Sequence, residues 1–134
     1  MSAPRRRWLT DDRGSAPAEF AMVAVLLTAL ALGVVQLALA LHVRNTAIDA
    51  AVEGARHAGL VGSSLDAGAE RTRTLLTLAV SDGYVADVSA REVTVGGASM
   101  VEVRVRSALP VFGLLGPDRA LEVTGHAPLE RLAD

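Results

Sequence analysis

The most prominent feature of the hydrophobic pattern is an uninterrupted apolar run from Phe20 to Leu41. These 22 residues contain no charged side chain, and their polar interruptions are limited to Thr28 and Gln36. As a helix with a rise of 1.5 Å per residue, the run would be about 33 Å long, enough to cross a bilayer core of about 30 Å. It is apolar on all sides, so the pattern predicts a membrane-spanning helix rather than an amphipathic one.

The charges that flank this run are distributed unequally. Four arginines precede it within the first 13 residues, whereas only Arg44 and Arg56 follow it at a comparable distance. Because loops that stay in the cytoplasm carry the excess of Lys and Arg, we expect a cytoplasmic N-terminus and a C-terminal part outside the membrane.

Beyond Leu41 the helical pattern continues in amphipathic form. Apolar residues recur every three or four positions on one side, at Ile48, Ala51, Val52, Ala55 and Ala58. Polar residues occupy the other side, at Asn45, Asp49, Glu53 and Arg56. This spacing predicts that the helix continues to about Ala58 and is ended by Gly59 and Gly62.

A second, shorter helix is predicted from Leu65 to Val80. The preceding pair Ser63-Ser64 offers an N-cap, since a serine hydroxyl can accept from the free N–H groups of a first turn. One stripe of the helix carries small and apolar residues, namely Ala69, Thr72, Leu76 and Ala79. We expect Asp82-Gly83 to close the helix with a turn.

The hydrophobic period then changes from 3.6 to 2, which predicts three short strands. The alternating positions are Val93 and Val95, then Val101, Val103 and Val105, and finally Leu121 and Val123. Gly-rich connections between them favour a small antiparallel meander with one face buried against the helices.

The register of the first hairpin depends on the length of its loop. A two-residue Gly96-Gly97 turn would set the valines of one strand opposite charged residues of the other. We therefore expect a five-residue loop over Gly96–Met100. It would pair Val95 with Val101 and Val93 with Val103, and it would place Glu92 against Arg104.

An apolar loop over residues 108–118, ALPVFGLLGPD, connects the second and third strands. Phe112, Leu114 and Leu115 could fill the gap between sheet and helices, or they could form an exposed contact patch. General burial preferences favour the first interpretation.

The composition argues against several classes of function. The chain has 134 residues, no cysteine and a formal charge of −2, which excludes disulfides and thiolate metal sites and gives no basic surface for nucleic acid. The histidines His42, His57 and His126 lack metal-ligand spacing, and no phosphate-binding glycine motif or nucleophile elbow occurs. We therefore expect neither an enzyme nor a protein with a catalytic residue, metal, cofactor or small-molecule substrate.

The segment directly before the apolar run carries the most specific motif: a glycine, four small residues, and then Glu19-Phe20. Glycine disfavours helix and presents no side chain. Ser15 can cap a helix that starts there, and Pro17 fits the first turn because its missing N–H is not needed. Glu19 costs about 2–3 kcal/mol at the edge of hydrocarbon, so it requires a partner.

This segment resembles a type IV prepilin processing site, which a membrane aspartic peptidase cuts on the cytoplasmic side after the glycine. The resemblance implies that Gly14 is the last leader residue and Ser15 the new N-terminus. It also implies that Glu19, the fifth mature residue, pairs with the free α-amino group of a neighbouring subunit and sets register during assembly.

The resemblance extends along the helix through Gln36-Leu37 to the segment from Asn45 to Arg56. Together with Glu19-Phe20, these residues resemble the TadE-like family of pseudopilins, which are minor components of the Tad (Flp) pilus, a system for adherence and surface attachment. Within the segment, Gly54 lowers helix stability by about 1 kcal/mol relative to Ala, so a helix interface at Glu53, Gly54 and Arg56 is one interpretation. A solvated Glu53–Arg56 pair is the other.

Two further hypotheses compete with the pilin one. Ala38-Leu39-Ala40 has the form that signal peptidase accepts, and cleavage there would release an exported domain starting at Leu41, but the run before it is longer than the usual 7–15 residues. The second alternative is an uncleaved single-pass membrane-anchored protein with a small extracytoplasmic interaction domain.

The sequence thus predicts an α+β protein with a long N-terminal helix, half transmembrane and half amphipathic, a short second helix and a three-stranded antiparallel sheet. We expect a cytoplasmic leader over 1–14, a transmembrane and assembly helix over 15–41, and an extracytoplasmic α+β domain over 42–134. The expected function is that of a minor pilin of a Tad-type pilus in the cytoplasmic membrane, which supports pilus assembly, adherence and secretion. Its expected partners are the prepilin peptidase, other pilin subunits and the lipid bilayer.

Overall fold

The computed structural model describes residues 14–80, 85–108 and 120–131. Its elements, in chain order, are the helices α1 (Ser15–Gly59) and α2 (Leu65–Ala79) and the strands β1 (Val85–Val95), β2 (Ala98–Ala108) and β3 (Ala120–Pro128). The predicted α+β fold with two helices and an antiparallel sheet is confirmed. The chain divides into two compact units between Val35 and Gln36, and each is described by itself.

The large apolar side chains of the predicted membrane run, which belongs to the first unit up to Val35, are exposed on α1. Phe20 is 75% exposed and Leu30 63% exposed, and between Phe20 and Leu41 no described residue is buried. The helix has an 18-residue window with a mean hydropathy of 2.5, so it is long and apolar enough to cross a membrane. Without lipid or protein around it, such a surface is unfavourable in water.

In the second unit, the amphipathic part of α1 buries a stripe of very small residues. The buried positions are Val43, Ala47, Ala50, Ala51, Gly54, Ala55, Ala58 and Gly59. The predicted stripe is therefore correct at Ala51, Ala55 and Ala58, whereas Ile48 and Val52 are only partly buried and flank it. The predicted polar side is exposed, and the helix ends at Gly59, as expected.

The second helix begins as predicted. The Ser64 hydroxyl accepts from the Ala67 N–H at 3.1 Å, which caps the first turn of α2. Ala69, Thr72 and Leu76 are buried together with Gly68, but Ala79 is exposed, so the predicted stripe ends one turn early. The turn expected at Asp82-Gly83 lies outside the described residues.

Glycines permit close crossings of α1 with its neighbours. A Cβ on Gly54 would meet the Thr72 side chain and would lie 2.6 Å from the Gly68 carbonyl oxygen of α2. A Cβ on Gly125 in β3 would collide with the backbone of Ala51 and Val52. Across the crossing of α1 and α2, the Thr72 hydroxyl donates to the Ala50 carbonyl at 3.2 Å. The small residues of α1 therefore serve close helix and strand packing.

The sheet is an antiparallel meander in the order β1-β2-β3, but the predicted first loop is wrong. β1 and β2 are joined by the two-residue turn Gly96-Gly97, with φ of 57° and 82°, and Val95 pairs with Ala98. Positive φ at both turn residues matches the twist of a tight hairpin and favours glycine. Glu92 therefore lies opposite Val101 rather than Arg104.

The loop is shorter than predicted because the residues of β1 that face the core are not Val93 and Val95. Val88 is 3% exposed and pairs with Val105, while Ala90 pairs with Val103. Val93 and Val95 alternate onto the opposite face, and Val95 is 52% exposed. Glu92 is tolerated opposite Val101 because it is itself exposed.

The core lies between this sheet face and the buried stripes of the two helices. Its fully buried members in β2 are Val101, Val103 and Val105, each 0% exposed, and β3 adds Val123 and Ala127. The Glu130 N–H donates to the Gly59 carbonyl at 2.8 Å, which ties the chain after β3 to the end of α1. Phe112, Leu114 and Leu115 lie outside the described residues.

Candidate functional site: the start of the long helix

The long helix begins at the residue that the sequence predicts as the mature N-terminus. Gly14 lies in a turn and Ser15 is the first helical residue. Pro17 lies in the first turn, where its missing N–H leaves no hydrogen bond unmade. All residues from Gly14 to Phe20 are exposed, so neither the glycine nor the carboxylate of Glu19 is covered by the described part of the chain.

Ser15 and Glu19 contact each other across the first turn. The Ser15 hydroxyl donates to Glu19 Oε1 at 2.8 Å, with a spacing of four residues along α1. Sequence reasoning expected Ser15 to act as a helix cap, whereas its hydroxyl here donates to a side chain. The carboxylate at the head of the apolar run thus has a donor within its own chain.

The apolar run satisfies one of its polar side chains internally. The Thr28 hydroxyl donates to the Ala24 carbonyl oxygen at 2.8 Å, one turn earlier in α1. This back-bonding is the usual way in which a threonine is accommodated in an apolar helix. Thr28 is therefore compatible with burial in lipid.

A possible helix interface is predicted at Glu53, Gly54 and Arg56, but these residues do not lie together on one side of α1. Gly54 is buried against α2, and its close neighbour is the backbone of Gly68 in the same chain. Glu53 and Arg56 are exposed on the other side of α1, and no ion pair joins them among the described residues. Gly68 lies at the crossing and was not singled out from sequence; the signal that points to it is a second glycine inside a helix.

A second polar arrangement, also not foreseen, occupies the sheet face that points away from the core. Glu102 is only 8% exposed and bonds Arg91 Nη2 at 2.7 Å and His126 Nε2 at 3.0 Å, with Arg104 Nη2 at 3.5 Å. Glu122 binds Arg106 Nε at 2.9 Å. The cross-strand pair Arg91–Glu102 replaces the predicted pair of Glu92 and Arg104.

The electrostatics of Glu102 follow from these neighbours. Burial raises the pKa of its carboxyl group, but the hydrogen bonds and positive charges of His126 and Arg91 outweigh burial, so the pKa lies below its ordinary value. No group of three His, Asp or Glu side chains that could share a metal ion occurs within residues 14–80, 85–108 and 120–131. The arrangement therefore links the three strands through charged side chains.

These features define a class: a protein with an N-terminal helix that could anchor it in a membrane, followed by a small α+β domain. Residues 14–56 match the family model described as TadE-like protein, which confirms the resemblance found in the sequence over this segment. The match begins at Gly14 and ends at Arg56, and it indicates association with the Tad pilus. No curated protein and no solved structure matches the chain.

Proposed function

We propose that the chain is a minor pilin of a Tad-type pilus, which is inserted in the cytoplasmic membrane and processed after Gly14. The main support for the proposal is that three boundaries lie close together in the sequence. The family match starts at Gly14, α1 starts at Ser15, and the uncharged run starts at Phe20. The glycine, the start of the helix and the apolar run follow one another closely along the chain. This order suits a substrate that is cut at the membrane surface.

The orientation follows from the charges. The arginine-rich leader stays in the cytoplasm, the run from Phe20 to Leu41 spans the bilayer, and the α+β domain is exported. Gly14 is exposed and lies in a turn directly before α1, so no described part of the chain covers the bond from a prepilin peptidase. Cleavage makes Ser15 the N-terminal residue and removes the basic leader.

Assembly then depends on Glu19 and the apolar helix. Inside a bundle of pilin helices, the exposed Leu, Val and Phe side chains exchange lipid contacts for contacts with neighbouring subunits. Glu19 accepts from the α-amino group of a neighbouring subunit, a donor that exists only after cleavage. This charge-assisted bond offsets the cost of a carboxylate at the edge of hydrocarbon and selects one register between helices.

The role is structural rather than catalytic. The α+β domain supports pilus assembly and surface adherence by presenting its outer surface to other subunits or to the attached surface. The chain binds no cofactor in this role, and its partners are the peptidase, other pilin subunits and lipid.

The test is the N-terminal residue of the membrane-extracted protein, measured by intact mass in cells with and without the prepilin peptidase. We expect a peptidase-dependent start at Ser15 and accumulation of the full-length chain for Gly14→Val. Gly33→Val is the matched control, since a Cβ there meets open space and the position is remote from the cut. A start at Leu41 would indicate a secreted domain, and an uncut chain an ordinary membrane anchor; either result contradicts the proposal.

A further inference from the structure

The contact between Ser15 and Glu19 uses the serine hydroxyl as a donor. An N-cap serine would instead accept from a backbone N–H, as Ser64 does at the start of α2. Ser15 lies inside the helix, one turn before Glu19, and its Oγ is 2.8 Å from Oε1 of the carboxylate. This spacing brings the two side chains to the same side of α1.

The hydrogen bond leaves the carboxylate able to bind a second donor. A carboxylate has two oxygens with about four lone-pair sites, so occupation of Oε1 leaves Oε2 available. The bond also restricts the rotamers of a glutamate that is otherwise exposed on a bare helix. Fixing a side chain before its partner arrives reduces the entropy that binding must offset.

We propose that Ser15 is a positioning residue for Glu19: its hydroxyl holds one carboxylate oxygen so that the other faces the incoming α-amino group of a neighbouring subunit. This inference rests on the proposed function, because it requires that Glu19 pairs with such a group. The first mature residue then makes two interactions. Its α-amino group pairs with the glutamate of a neighbouring subunit, and its hydroxyl donates to Glu19 of its own chain.

The experiment compares Ser15→Ala with Ser15→Thr in the full-length chain, expressed in cells that contain the peptidase and the pilus system. Processing is read from the intact mass, and assembly from the amount of other pilin subunits that crosslink to the chain. We expect normal processing in both variants, an approximately fivefold loss of crosslinked partner for Ser15→Ala, and recovery with Ser15→Thr, in keeping with the modest net strength of a solvent-exposed hydrogen bond.

Thr28→Val is the matched control, because it removes a hydroxyl from the same helix that bonds only to the Ala24 carbonyl in the structure. Glu19→Gln separates the two proposals. If Glu19→Gln crosslinks as well as the wild type, the role of Glu19 itself is wrong. If Glu19→Gln fails while Ser15→Ala matches the wild type, only the role of Ser15 is wrong.

Two further outcomes would also overturn the positioning role. Loss of processing in Ser15→Ala would assign the hydroxyl to recognition by the peptidase. An equal loss of crosslinking in Ser15→Thr and Ser15→Ala would show that side-chain size, and not the hydroxyl, matters at this position.

Discussion

The two halves of α1 each carry an apolar surface, yet these surfaces differ in the size of their side chains and in what surrounds them. The half from Phe20 to Leu41 is rich in Leu and Val, and its large side chains are 43–75% exposed. The half from Val43 to Gly59 buries mainly Ala and Gly, and Ala47, Ala51 and Ala55 are 0% exposed. One helix thus carries a surface suited to lipid or other helices and a surface suited to its own domain.

When only the apolar surfaces are compared, residue size separates the two environments. Large side chains provide the transfer free energy that keeps a helix in a bilayer. Small side chains let backbones approach closely, as at the crossing of Gly54 with Gly68 and of Ala51 with Gly125. A substitution that is harmless in one half should therefore be damaging in the other.

The strongest test of this contrast enlarges a glycine in each half. Gly54→Val should destabilise the domain by about 3 kcal/mol, because overpacking against the Thr72 side chain and the Gly68 carbonyl outweighs the gain in helix propensity. Thermal unfolding in detergent, followed by circular dichroism, measures the loss. Gly33→Val is the control, since a Cβ there meets open space, and equal losses in both variants would refute the contrast.

The converse test places an acid in each half. Leu30→Asp should reduce stable membrane integration by about 3 kcal/mol, which is the cost of an aspartate near the centre of a span, without changing the melting temperature of the domain in detergent. Carbonate extraction of membranes measures the integration.

Val103→Asp should have the opposite effects. It places an uncompensated charge at a position that is 0% exposed, so the domain should unfold while the protein remains in the membrane. If Leu30→Asp lowers the melting temperature of the domain, the proposed contrast between the two halves is wrong.

Acidification should affect the domain and spare the first half of α1, which has no ionisable residue between Phe20 and Leu41. The folded-state pKa of Glu102 is depressed, so its stabilisation is complete above its unfolded-state pKa of about 4.3 and is lost as the pH falls through the lower folded value. We expect Glu102→Gln to lower the free energy of unfolding by about 1 kcal/mol at pH 7. Below about pH 4.5, the melting temperature of this variant should depend less on pH than that of the wild type.

The control for this pH dependence is Glu92→Gln, which removes an exposed carboxylate opposite Val101. It should leave both the melting temperature at pH 7 and its fall in acid unchanged. An acid transition that persists unchanged in Glu102→Gln would contradict its assignment to Glu102.

An effect of similar size to that of Glu102→Gln is expected at the start of α2 in the domain. Ser64→Ala should destabilise the domain by about 1 kcal/mol, because it removes the acceptor for the Ala67 N–H. The neighbouring Ser63→Ala should be neutral or slightly stabilising, since the Ser63 hydroxyl oxygen is buried without a hydrogen-bond partner among the described residues. Denaturant midpoints compare the two, and the reverse order would contradict the assignment of the cap.

Prediction from the sequence was most successful where the pattern is local. The apolar run, the end of α1 at Gly59, the Ser64 cap and the α+β class follow from periodicity and from residue types that have one strong preference. The candidate processing site rests on the same kind of local evidence, because its residues are consecutive. Its cleavage stays a prediction.

The sequence by itself determined the α+β class, the two helices and the extent of the apolar run, whereas it predicted only the last part of β1. Only the tertiary structure decided the register of the first hairpin, because the valines of β2 are matched by Val88 and Ala90 rather than by Val93 and Val95. It alone brought Gly54 to Gly68, and Glu102 to Arg91 and His126. The physical reason is that a local pattern fixes the period of an element, whereas which face is buried and which residues meet depend on contacts between segments far apart in the chain.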